Sequence, residues 1–513
     1  MTIFLYIVIP SILTLLFLFY NKKDNNGSDH AIHVYIINRI KNQGNRVITD
    51  FIYGYNEKHV YYPQLYHLLL SFLPKDIYEK KFFYINILVK TIEILAFNIF
   101  LFTLYGQLKF EELIFLFANI VFNIFPFSYS VWNAKNTGLS ARGVGVILIH
   151  FFTYLIIFYV DSFSYIILFF IIIITIITIL TSMMSTQFIF LVTPFLAFFF
   201  GRFELILIPI LSLSIIYAFS PKYTKNFLRG NYNFRRNYAL YISKIFILKE
   251  RHSVWRDLVY DIWLKIKNEP NKLKAIYYIS KNPVIEIIYG MPFLWFVFYF
   301  FIINPDRFSN QIYLSMLTII ISAAVVFLLT TFRISRFLGE PQRYMEFTIP
   351  IITFLFVLTA EKTITIGLII LSIAIIGVYL FAYSRSNIIQ KNGLKARELS
   401  MILNKEFQGD IIVASNDYQQ LKFFQQYGFK VLMPDLTKYY KSNYDFQRYF
   451  IGDFSIISPC AIKDYILNYS PEILVLNTKL YTLDFLLKTV PTINSQYNLK
   501  FSLNEFKVYV KNT

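Results

Sequence analysis

From Val146 to Phe219 the chain runs almost without polar interruption, and only Asp161, the cluster between Thr181 and Gln187, and the Arg202/Glu204 pair divide it. A soluble core does not accommodate an apolar run of that length. Hydrocarbon does, and it imposes one condition: a backbone without water partners must satisfy its hydrogen bonds within the segment, so such runs are helices. About 20 residues cross the ~30 Å apolar layer. On that rule the chain holds eleven candidate spans, at 2–20, 82–105, 113–131, 142–160, 163–181, 184–200, 203–219, 284–303, 311–331, 344–360 and 363–383. Charged residues make up only 16% of the chain, where a soluble domain carries roughly 25%. The first run, Thr2–Tyr20, lacks a basic leader and a small-residue cleavage site, so it reads as a retained helix rather than a removed signal.

After Arg385 the pattern changes. Short apolar runs at Asp410–Ala414, Phe429–Met433, Glu472–Leu476 and Phe506–Val510 predict strands, and Tyr418–Tyr427 and Ala461–Asn468 predict helices between them. No GxGxxG loop accompanies this βαβ pattern, so nucleotide binding has no support there. The expected fold class is an α-helical polytopic membrane protein with a small C-terminal α/β soluble domain. Its membrane domain covers 1–384, with long loops at 21–81 and 220–283, and its soluble domain covers 385–513. The single cysteine, Cys460, excludes an intrachain disulfide and a thiolate metal cage.

Charge is concentrated in one loop. Ser220–Pro283 holds 14 Lys or Arg against 4 acidic residues, a net of +10 out of the chain's +18. Beside a bilayer such a loop points to anionic lipid headgroups, and nucleic acid is a poor partner for so apolar a chain. Within the loop, Val254, Leu258, Ile262 and Ile266 recur at helical spacing, with Trp255 and Trp263 flanking them, which predicts an interfacial helix over Val254–Lys267. With eleven spans, the long loops and the C-terminal domain all open on one face, and function is expected there. Charge counting over short loops would put Lys135, Arg142, Arg333, Arg336 and Arg343 in the cytoplasm. Either the orientation is reversed, or these arginines serve an anionic ligand.

The first loop contains four of the six histidines, His30, His33, His59 and His67, with Asp29 at the start of a predicted helix. Asp29 has an ordinary reading as a helix N-cap. A metal reading rests on Asp29 and His33 at i and i+4, but no second acidic residue stands beside them, so a divalent metal there is not favoured. Arg333, Arg336 and Arg343 fall within eleven positions of one another, around the helix-breaking Gly339-Glu340-Pro341. They serve either as interfacial anchors or as a guanidinium clamp for phosphate. Lys90 and Glu93, one turn apart inside the second span, read as a self-neutralising pair, and His150 as a packed polar side chain.

Taken together, these residues resemble the GT-C glycosyltransferase superfamily, multi-spanning enzymes that take sugars from polyprenyl-phosphate carriers on the extracytoplasmic face. The resemblance is carried by Gly27-Ser28-Asp29-His30-Ala31-Ile32-His33 and Tyr62-Pro63-Gln64-Leu65-Tyr66-His67 in the first loop. Leu139-Ser140-Ala141-Arg142-Gly143-Val144-Gly145, Gly339-Glu340-Pro341-Gln342-Arg343-Tyr344 and the α/β tail complete it. The tail lacks a Trp-Trp-Asp motif, which argues against an oligosaccharyltransferase.

The resemblance implies an integral protein of a bacterial or archaeal plasma membrane, with active site and C-terminal domain extracytoplasmic. It implies Asp29 as catalytic base and Arg343 as donor-phosphate ligand, with Arg333, Arg336 and Arg142 as further candidates and His30, His33, Glu340 and Tyr344 in support. The expected partners are a polyprenyl-phosphate-linked sugar donor, a lipid or glycan acceptor and anionic membrane lipids. One carboxylate and one or more arginines suffice chemically. A phosphate leaving the anomeric carbon needs cationic stabilisation, whereas an acceptor hydroxyl benefits from a positioned base. A lipid or polysaccharide transporter and a non-catalytic receptor remain as alternatives.

Overall fold

The computed structural model describes residues 2–20, 28–49, 54–55, 62–129, 138–242, 262–264, 266–268, 282–332, 335, 338, 340–385, 388–407, 409–435, 438–450 and 456–512. The chain packs as two compact units whose division does not follow chain order. One comprises Met1–Asp24, Lys80–Phe219 and Arg251–Ser386, the other Asn25–Glu79, Ser220–Glu250 and Asn387–Thr513.

The first unit is helical. All eleven apolar runs are helix in the structure, but not all are straight or long. Phe82–Leu108, Ala141–Ser162, Met183–Phe200 and Gln311–Thr331 are each long and apolar enough to cross a membrane. Pro283–Gly290 and Pro292–Ile303 meet the same test as a pair, bent by 72°. The bend falls where Pro292 removes a backbone donor and its ring blocks helix continuation. The run expected at 113–131 ends as helix at Asn123 and continues as a 3₁₀ turn over Pro126–Tyr129, with a proline again at the break. The run expected at 344–360 is divided into Gln342–Glu346 and Ile349–Thr359.

Several polar groups inside this unit are matched with one another. The Asn98 and Asn119 amides each donate to the other's carbonyl oxygen, at 3.0 and 2.9 Å, joining Phe82–Leu108 to Leu113–Asn123. Lys90 and Glu93 form an ion pair at 3.2 Å, with the Lys90 ammonium 4.6 Å from the centre of the Phe122 ring and His150 Nδ1 3.9 Å from the Glu93 carboxylate. Gly145 lets the helix that carries it approach Met183–Phe200: a Cβ there would lie 2.6 Å from the Ser182 side chain. Small residues at such crossings allow close backbone approach between apolar helices.

The second unit is built on a five-stranded sheet of β1 (Ile412–Ser415), β2 (Lys430–Leu432), β3 (Ile473–Asn477), β4 (Tyr497–Leu503) and β5 (Phe506–Lys511), in the order β2-β1-β3-β5-β4. β1 runs parallel to β2 and β3, and β5 runs antiparallel to β3 and β4. The four runs read as strands from sequence are strands here. β4 is the addition. It is an edge strand that alternates exposed polar residues such as Asn498, Lys500 and Ser502, so it has no apolar run to mark it.

Both long loops contribute to this unit. Helix Ser28–Asn42 is buried on nearly every side: Ile32, Tyr35, Ile36 and Ile40 cluster with Ile48, while Ala31 joins the core of the sheet. Burial on more than one face requires more than one covering element, and helices Leu65–Ser71 and Tyr418–Gln426 both pack against it. The Tyr55 amide donates to the Val431 carbonyl at 2.8 Å, occupying an acceptor on the outer edge of β2.

Candidate functional site

Asp29 stands in the first turn of helix Ser28–Asn42, and its side chain lies outside the described residues. The next turn carries the histidines. His33 Nδ1 and His67 Nε2 are 2.8 Å apart in a buried hydrogen bond, which joins this helix to Leu65–Ser71. The two imidazole rings lie 5.1 Å apart, centre to centre, at an interplanar angle of 16°. One ring nitrogen must donate and the other accept, so the bond requires at least one neutral ring. Burial, and then the neighbouring His33, push His30 down to about 4, and the same two causes in the same order hold His67 well below the usual histidine range.

Side-chain hydrogen bonds tie the described residues around these helices together. The Gln64 side chain accepts from the Ile48 amide at 2.7 Å and donates to the Ile48 carbonyl at 2.9 Å, acting as a neighbouring strand would. Asn38 accepts from the Tyr78 hydroxyl at 2.7 Å and donates to Glu79 at 2.9 Å. Among the described residues, no three His, Cys, Asp or Glu side chains come together as a metal set. The facing nitrogens of His33 and His67 are committed to each other.

The candidate donor-site arginines are in the helical unit. Ser140 caps helix Ala141–Ser162 by accepting from the Arg142 amide at 3.2 Å, so Arg142 occupies the first turn. Its guanidinium donates to the Glu346 carboxylate, which is almost fully buried. Two charges buried in this way hold each other in place, and either alone would be costly. Arg343, on helix Gln342–Glu346, pairs with Glu340 one turn earlier. The Tyr344 hydroxyl donates to the Leu338 carbonyl at 2.7 Å, and the Gln187 amide donates to the same carbonyl at 3.2 Å, fixing the turn that presents Glu340 and Arg343. Tyr344 is buried, and its hydroxyl ties this turn to the helix that follows. Arg333 and Arg336, and most of the helix expected at Val254–Lys267, lie outside the described residues; within that stretch 262–264 and 266–267 are helical.

The structure thus brings Arg142, Glu340, Arg343 and Tyr344 together with Glu346 in one unit, and His30 and His33 together with His67 in the other, where Asp29 shares their helix. Sequence reading missed the partner carboxylate Glu346 and the His33–His67 bond. Neither has a local signal, since the partners are 204 and 34 positions apart.

In fold the chain is similar to a solved structure over nearly its whole length, the helical unit and the α/β unit both included. Among solved structures it matches the crystal structure of ArnT from Cupriavidus metallidurans in the apo state, with a TM-score of 0.50, over 94% of this chain and 92% of the other. The identity is 10%, so the likeness is one of fold. No family model matches the chain, and no curated protein matches it by sequence.

Proposed function

We propose that this protein is a membrane glycosyltransferase that moves a sugar from a polyprenyl-phosphate-linked donor to a lipid, glycan or cell-envelope acceptor on the extracytoplasmic face. The observation that carries the reading is the extent of the fold likeness, which takes in the apolar helices and the α/β portion of one chain together. In the proposed reaction, Asp29 accepts the proton of the acceptor hydroxyl as its oxygen attacks the anomeric carbon from the face opposite the phosphate. The bond between that carbon and the phosphate oxygen breaks, and the electron pair leaves with the phosphate. Arg343 neutralises that charge through its planar fork, with Arg142, Arg333 and Arg336 as further ligands. Pairing with Glu340 and Glu346 supports this role by holding the Arg343 and Arg142 guanidinium groups in fixed orientations before an anion arrives.

The test is transfer by the purified full-length chain from a set of polyprenyl-phosphate sugars. Asp29→Asn keeps the size and polarity of the side chain but cannot accept a proton, so transfer falls by roughly 10²–10⁴-fold while donor binding persists. Arg343→Lys keeps the charge and loses the fork, so donor affinity weakens together with turnover. Full activity in Asp29→Asn removes the base assignment. One observation favours a second reading, lipid transport: the helix broken between Gly290 and Pro292 carries a buried carboxylate, Glu286, and transporters place polar groups at such breaks. Movement of labelled lipid across proteoliposomes, without transfer from any donor, would give that reading precedence.

A further inference from the structure

Helix Pro221–Leu240 begins two residues after Phe219, the end of the apolar helix Glu204–Phe219. Sequence periodicity did not single it out, but its burial pattern is sharply two-sided. Thr224, Phe227, Asn231 and Asn237 are buried. From its last turns Arg236 donates to the Tyr440 carbonyl at 2.9 Å and Asn237 to the Lys438 carbonyl at 2.7 Å, so this side is bound to the α/β fold. The opposite side exposes Lys222, Lys225, Leu228, Arg229, Tyr232 and Leu240. At 3.6 residues per turn these six fall within about 60° on either side of Lys225, forming one stripe along the helix. Three of the six are cations, Tyr232 is 65% exposed and Leu228 is 44% exposed.

A face meant for water does not present tyrosine and leucine between lysines, and a face meant for a protein core does not present three cations. A bilayer surface suits both groups. Long cationic side chains reach lipid phosphates while Leu and Tyr enter the boundary between headgroups and acyl chains. The preceding helix exposes Leu207, Ile210, Leu211, Ile215 and Phe219, so the chain enters Pro221–Leu240 directly from a segment with an apolar exterior. We infer that the stripe of Lys222, Lys225, Leu228, Arg229 and Tyr232 is a docking surface for the headgroups of anionic phospholipids, holding the N-terminal half of this helix at the bilayer interface. Charge complementarity names the occupant: the three cations of the stripe, with no acidic residue anywhere between Pro221 and Leu240, select phosphate-rich anionic lipid over zwitterionic lipid. The inference depends on the membrane class of the chain and not on any transferase activity.

The experiment uses the full-length chain with Cys460→Ser and Tyr232→Cys, carrying one spin label at position 232. The protein is reconstituted in phosphatidylcholine bilayers and in the same bilayers containing phosphatidylglycerol. The expected result is a label more accessible to oxygen than to a water-soluble nickel relaxant, and deeper when phosphatidylglycerol is present. Lys222→Gln, Lys225→Gln and Arg229→Gln should each weaken the preference for phosphatidylglycerol roughly fivefold, and high salt should remove it. A label open to the nickel reagent in both bilayers overturns the inference, as does a depth indifferent to phosphatidylglycerol. A label closed to both reagents also overturns it, because a protein partner or a second copy would then cover the stripe.

Discussion

Mild acid should loosen the first-loop helices before it affects the rest of the α/β unit. His30 is fully buried, and burial together with His33 lowers its pKa from 6.5 to about 4. In the unfolded chain it returns to the ordinary value, so between these limits the unfolded state binds more protons than the folded one. Stability is then complete above pH 6.5 and is lost as pH falls toward 4, the sign for a group whose folded pKa is depressed. Going from about pH 7 to about pH 5, His30 alone removes about 2 kcal/mol. His67 adds to this in the same direction, because it is also shifted down and its bond to His33 cannot survive double protonation. The assay is hydrogen exchange of the amides in 30–42 and 65–71, corrected for the intrinsic pH dependence of exchange. A loss of about 2 kcal/mol lowers their protection roughly 30-fold. Replacing the titrating group by His30→Asn should flatten most of the response. Protection that stays constant from pH 7 to 5, or an equal slope in His30→Asn, would refute the reasoning.

Two further outcomes follow from the helical unit. Arg142→Gln strands the buried Glu346 carboxylate and should destabilise the protein by roughly 3–5 kcal/mol, while the double change Arg142→Gln/Glu346→Gln recovers much of that; thermal unfolding in detergent reads both, and an undisturbed single variant would mean that the pair does not hold this turn. Gly145→Val places side-chain carbons where Ser182 and Ser185 already lie, and the overpacking should cost about 1–3 kcal/mol. Gly106→Val, where a Cβ meets nothing within 4 Å, is the control that should leave the melting temperature nearly unchanged.

The sequence was most informative where structure is decided locally. A breakdown came at Gly290–Met291–Pro292, where a run read as one span bends by 72°, although Pro292 was the visible cause. Helix Pro221–Leu240 was missed for a different reason. Three of its five cations sit on the exposed side, and its buried face is made mostly of Thr, Asn and Gly with Phe227, so no apolar run marks it. The candidate site was legible as residue types, namely a first-loop aspartate among histidines and a late cluster of arginines, because these stand out against an apolar background. Their partners were not legible. Nothing local to Arg142 points to Glu346, and nothing local to His33 points to His67.

By itself, then, the sequence determined the class of the protein and the helical state of its apolar runs. That follows because a backbone in hydrocarbon must satisfy its own hydrogen bonds within each segment, a condition every run meets or fails alone. It also determined four of the five strands of the α/β unit, through short apolar runs between turns. Tertiary structure alone decided that 25–79 and 220–250 share a compact unit with 387–513, that Tyr55 occupies the edge of β2, and which carboxylate each arginine faces. These choices depend on which buried surfaces fit and which buried charges find an opposite, and both are properties of residues far apart in the chain.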